Sequence, residues 1–124
     1  MDEKRSFFTS EPPEDPGRFY EKIDTAIRGL REFSLISAAV DLGIFDVCAT
    51  PVTAEELASR ISADREMCRL LCEALVAEGL LTFENWKYSD TAMTSMYLTR
   101  NSPYSQVHYI GHLARMSKLS LIHI

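Results

Sequence analysis

Between residues 42 and 91 the chain runs through five punctuated segments in fixed order: LGIFD, TAEELASRI, a long apolar-periodic run ending LLCEALVAEG, LLTFENWKY and SDT. The caps and glycines between them leave few ways to fold the block. Thr53 and Glu56 form a capping-box pattern, in which the Thr hydroxyl takes a helix amide and the Glu reaches back to the Thr amide, so a helix is predicted from Ala54. Leu57, Ala58 and Ile61 give that helix one apolar face, and the polar residues 62–64 end it. Asp64 then caps a second helix, in which Met67, Leu70, Leu71, Ala74 and Leu75 recur at i, i+3, i+4, i+7 and i+8. Gly79 stops it. Residues 80–83 and 86–88 read as two short strands about a polar Glu84-Asn85 turn. Two helices at a turn, followed by a hairpin, set the expected fold class: mainly α, a winged helix-turn-helix with a small β-hairpin wing.

Both flanks are predicted helical. From residue 19 to 40, Ile23, Ala26, Ile27, Leu30, Phe33, Leu35, Ile36 and Val40 recur at helical spacing as a wide apolar stripe. Gly29 weakens this long N-terminal helix by about 1 kcal/mol relative to Ala and lets another backbone come close. Such a stripe must be covered by the domain itself or by a second subunit. Gly43 ends the helix near its C-cap, and Ile44, Phe45 and Val47 make a short apolar turn into the Pro51 loop. Beyond the wing, residues 89–91 open a short helix carrying Met93, Met96, Tyr97 and Leu98. The NSP run at 101–103 breaks the chain, and Pro103 suits the first turn of a final helix from Tyr104 onward. There Val107, Ile110, Leu113, Ala114 and Leu119 trace a stripe too long for a small domain, as in a linker helix. The expected organisation is therefore a disordered acidic tail at 1–18, a winged-helix domain at 19–101 and a linker helix at 102–118.

Composition narrows the function. With 124 residues, 46% hydrophobic and 25% charged, the chain suits one soluble globular domain. No apolar run approaches the ~20 residues of a membrane span and the N-terminus lacks a signal-peptide core, so a cytoplasmic protein with no membrane partner is expected. Cys48, Cys68 and Cys72 are odd in number and lack a framework spacing, which favours buried thiols in a reducing compartment. A winged helix that reads nucleic acid needs a basic face. Residues 53–88 hold four bases against seven acids, and the chain carries a net charge of −5. Nucleic acid is therefore not the expected partner; Arg60, Arg65 and Arg69 are the residues that would serve one. His108 and His112 stand at i, i+4, but without an intervening Glu or a third ligand, so no metal is expected. Trp86 reads as a packing residue, and Glu55 and Glu56 as first-turn acids facing the helix dipole.

The order LGIFD, TAEELA, RLLCEAL, EGLLTF, YSDT and YLTRNSPYS resembles the N-terminal dimerisation domain of class I S-adenosylmethionine-dependent O-methyltransferases. That family includes plant phenolic and hydroxyindole O-methyltransferases and their bacterial and archaeal relatives. The similarity covers about residues 19–118. It implies a homodimer interlocked through the first helices, here around Ile27, Leu30, Phe33 and Ile36. In the family a doubly wound α/β domain follows, binds S-adenosylmethionine and carries catalysis on a small hydroxylated acceptor. The helix preceding it lines the acceptor pocket, which would place Tyr109, His112 and Met116 there. The cofactor domain needs a strand running into a glycine-rich turn. Gly17, Gly29, Gly43, Gly79 and Gly111 are too scattered to make one. No catalytic, cofactor-binding or metal residue is therefore expected in this chain, which reads as an inactive fragment truncated before the catalytic domain. The alternative is a free-standing winged-helix transcriptional regulator or protein–protein assembly module. The final LSLIHI at 119–124 can be encoded by CTG TCT CTT ATA CAC ATC, a transposon end used in sequencing libraries, and reads as a translated adaptor. Genomic DNA encoding LSLIHI at this point would exclude that reading.

Overall fold

A computed structural model describes residue 10 and residues 12–123, with side chains through residue 117. The tail expected at 1–18 lies largely outside these residues, as do the side chains of 119–124. Two compact units, residues 1–33 and 34–124, are described separately.

The element order is α1 (Pro16–Leu42), α2 (Ile44–Val47), α3 (Ala54–Ile61), α4 (Arg65–Ala77), β1 (Leu81–Glu84), β2 (Lys87–Asp90), α5 (Ala92–Tyr97) and α6 (Val107–His123). The fold is mainly α with a two-stranded antiparallel sheet after the α3–α4 pair, the winged-helix arrangement expected. Helix α1 starts at Pro16, earlier than predicted. Asp15 accepts the Gly17 amide at 2.9 Å, and proline suits the first helical position because no intrahelical partner awaits its nitrogen.

Local caps set the helix starts. Thr53 accepts the Glu56 amide at 3.1 Å and Asp64 the Met67 amide at 2.9 Å. A two-way capping box occurs at Thr91 and Thr94, whose hydroxyls each accept the other's amide, at 3.1 and 2.9 Å. This starts α5 at Ala92, so Ser89 and Asp90, expected to open that helix, belong to β2. Gly79 ends α4 at φ 74°, and the Leu80 amide returns to the Leu75 carbonyl at 2.8 Å, closing a Schellman turn. Gly43, at φ 76°, lets α1 stop and α2 begin. The expected apolar turn is thus one short helix, with Ile44 and Phe45 fully buried.

The wing is shifted by one residue from expectation. Its register pairs Leu81 with Asp90, Thr82 with Ser89, Phe83 with Tyr88 and Glu84 with Lys87. Asn85 and Trp86 therefore form the two-residue turn, both with positive φ, at 52° and 65°, as a type I′ hairpin requires. Trp86 is 83% exposed, edge-on to Phe83 at 6.1 Å, and is not the packing residue predicted. This register puts Leu81 and Tyr88 on the buried face and opposes Glu84 to Lys87. Val52 adds an isolated bridge on the free side of β2, exchanging two backbone bonds with Tyr88.

The core gathers Ala39 and Val40 from α1, Ile44 and Phe45, Cys48, Val52, Leu57, Cys72 and Leu75, Leu80, Leu81 and Tyr88, and Leu98. Each fully buried side chain of the Leu or Phe class contributes roughly 1.5–3 kcal/mol. On α4 the buried line is Cys68, Cys72 and Leu75, whereas Met67 and Leu70 are more than half exposed. Sequence periodicity fits either edge of that helix, and the helix turns its cysteine edge inward. The last helix begins at Val107 rather than Tyr104. Ser102 accepts the Tyr104 amide at 3.1 Å and the Gln106 amide reaches the Tyr97 carbonyl at 2.7 Å, so Pro103 lies in a turn.

Candidate dimerisation surface

In the first unit, α1 presents Phe19, Ile23, Ile27 and Leu30 at intervals of four, four and three residues, a single helical face. All four are exposed, Ile27 by 40% and Leu30 by 59%. Isolated exposed apolar residues are ordinary, but a row on one face marks a surface meant to be covered. Gly29 adjoins the row, and a Cβ built there would meet nothing within 4 Å, so a second backbone can approach closely. Phe33 is half-buried. Ile36 packs partly buried against the core of the second unit, with Leu35 beside it. The four residues expected at a dimer contact thus divide into an exposed pair, Ile27 and Leu30, and a half-buried pair, Phe33 and Ile36.

On α6, Tyr109, His112 and Met116 share one exposed face, while Val107 and Ile110 turn toward the core. His108 is exposed as well. No group of three or more His, Cys, Asp or Glu side chains among the described residues could hold a metal. Cys48 and Cys72 are buried, and burial pushes both thiols up to about 12, so they remain protonated packing groups. No helix among the described residues is long and apolar enough to cross a membrane.

The one sheet among the described residues is an antiparallel hairpin, and none of the five glycines joins a strand to a helix: Gly43 and Gly79 end helices, Gly29 and Gly111 lie within them, and Gly17 lies in the first turn of α1.

Two features escaped sequence reasoning. A cleft of about 620 Å³ lies between the start of α3, the outer side of α4 and the wing, bounded by Ala54, Val76, Phe83, Trp86 and Tyr88. Arg65 bonds Glu55 across it at 2.8 Å, and Arg69 is held by Glu66 and Glu73, so these two cations are already answered by acids. The second feature joins three distant segments. Asp46 accepts the Arg100 amide at 2.8 Å and its guanidinium, which also donates to the Val40 carbonyl at 3.1 Å. Nearby, both carboxyl oxygens of Asp90 are buried without a hydrogen-bond partner. Burial foremost, then the negative charge of Asp46, pushes Asp90 up to about 7. Alternation along β2 from the inward Tyr88 was the available signal for its burial.

Residues 24–100 match a family model described as the O-methyltransferase dimerisation domain. Acetylserotonin O-methyltransferase of Macaca mulatta is 30% identical over 105 residues, covering 79% of this chain and 30% of that protein. An uncharacterised protein of Methanocaldococcus jannaschii is 29% identical over 103 residues, covering 80% and 28% respectively. Among solved structures, an O-methyltransferase family protein from Burkholderia thailandensis superposes with a TM-score of 0.75 at 26% identity, covering 80% of this chain and 30% of that one. Human N-acetylserotonin methyltransferase, solved in complex with SAM, gives a TM-score of 0.73 at 28% identity, covering 87% and 33%. The chain spans a third or less of the length of these relatives. With the helix pair, the wing and the long first helix all in place, the chain belongs to the O-methyltransferase dimerisation-domain family.

Proposed function

We propose that this chain is the homodimerisation part of an S-adenosylmethionine-dependent O-methyltransferase that acts on a small hydroxylated acceptor. The row of exposed apolar side chains on α1, in a chain whose residues 24–100 match the dimerisation family, carries the reading. A second copy related by a two-fold axis would cover both rows with one self-complementary contact. In this arrangement Ile27, Leu30, Phe33 and Ile36 face the partner. Helix α6 leads toward a cofactor-binding domain, with Tyr109, His112 and Met116 turned to the acceptor. Methyl transfer in such an enzyme rests on holding the acceptor hydroxyl in line with the sulfonium while a base removes its proton. No residue of this chain is given that role, and the chain alone is expected to be inactive.

Sedimentation equilibrium tests the dimer. A dimer is expected for the unmodified chain, and the pair Ile27→Asp and Leu30→Asp should shift it to monomer, since each substitution sets a charge in an apolar contact. An unmodified chain that stays monomeric at high concentration overturns the dimer. Calorimetric titration with S-adenosylmethionine should give no heat of binding, and tight binding would contradict the assignment of the cofactor to another domain. Binding to duplex DNA with a steep salt dependence would instead favour a winged-helix regulator.

A further inference from the structure

Strand β2 carries a half-buried aspartate, Asp90, whose two carboxyl oxygens are out of solvent. Asp90 and Tyr88 lie on the same side of the strand, opposite Leu81 and Phe83 of β1. Leu81 and Tyr88 are core residues, so the same period of two carries Asp90 inward. Its two carboxyl oxygens are buried and make no hydrogen bond among the described residues. An ionised carboxylate in that setting is costly unless a cation or donor answers it.

The groups around Asp90 do not supply one. Asp46, from α2, faces it with a second negative charge. Arg100, from the segment between α5 and α6, is engaged by Asp46 and the Val40 carbonyl. Cys48, following α2, faces Asp90 as a buried neutral thiol, itself faced by Arg60 of α3 and Cys72 of α4. Asp90 also sits where the wing is attached to the rest of its unit. The Val52 amide donates to the Tyr88 carbonyl at 2.9 Å, the Tyr88 amide to the Val52 carbonyl at 2.7 Å, and the Asp90 amide to the Cys48 carbonyl at 2.9 Å. These three bonds fasten β2 to the loop between α2 and α3.

We infer that Asp90 is a proton-gated clasp: as a neutral acid it lets the wing lie closed on the α2–α3 loop, and as a carboxylate it draws water inward and loosens the three bonds. The inference does not depend on the proposed enzyme. The proton leaves the folded chain at about pH 7, where burial holds this group. The unfolded chain has already released it above about pH 4. The clasp is therefore tightest below about pH 4, weakens as pH rises from there to about 7, and stays at its weakest above that value.

Amide hydrogen exchange on the full chain, at about pH 5.5 and about pH 8.5 and corrected for the intrinsic rate, tests this. Protection of the Val52, Tyr88 and Asp90 amides should fall about tenfold or more on the alkaline side, while in Asp90→Asn it should be equal at both. Equal protection in the unmodified chain, or the same loss in Asp90→Asn, overturns the inference. Should the variant fail to fold, the Asp90 carboxyl carbon followed by NMR in the unmodified chain decides. A midpoint near 7 supports the clasp and one below about 5 overturns it.

Discussion

Thr94 and Asp90 sit four residues apart and meet burial differently. Thr94 is fully buried, but its hydroxyl accepts the Thr91 amide at 2.9 Å, so its burial leaves nothing unpaired. Asp90 has no such partner for its carboxyl. Because its folded value is raised to about 7, the folded state binds a proton that the unfolded state lacks between about pH 4 and pH 7. Its contribution to stability therefore falls as pH rises through that window and is flat above it. Asp90→Asn should stabilise the chain at about pH 8 by roughly 1–3 kcal/mol and change little at about pH 4, as read by urea unfolding at the two values. Arg100 works in the opposite sense, holding α1, α2 and the α5–α6 segment through Asp46 and Val40. Neither Asp90 nor Arg100 was singled out from the sequence, since their roles rest on partners tens of positions away.

Element boundaries divide by the range of the forces that set them. The starts of α3 and α4 were legible because Thr53 and Asp64 act on amides three residues away. Thr53→Ala should cost about 1 kcal/mol of unfolding free energy, measured by chemical denaturation. Gly79→Ala should cost about as much, since the residue sits at φ 74° with open space around it and only the backbone objects. The wing register was misplaced by one residue. Its turn is chosen jointly by the positive φ of Asn85 and Trp86 and by the demand that Leu81 and Tyr88 face the core. Trp86→Gly should be neutral or stabilising by up to about 1 kcal/mol, because glycine adopts that φ freely and the exposed ring leaves only an edge contact with Phe83. A loss above 1 kcal/mol in the same assay would show that the ring packs after all.

For the whole molecule, the distribution of apolar surface bears on association. The row on α1 is expected to make the chain's oligomeric state sensitive to Leu30→Asp while its helix content, followed by circular dichroism, stays nearly constant, because the site is exposed in the single copy. The sequence by itself determined the order of helices and hairpin, their caps and glycine stops, the acidic charge balance and the family likeness. Each of these is written in residues close together in the chain or in its composition. Only the tertiary structure decided which edge of α4 is buried, which α1 residues join the core, where the wing turns and that Asp90 lies unpaired beside Asp46. A helical or strand period leaves more than one face open to burial, and the choice is made by packing against segments that the chain brings from far along its length.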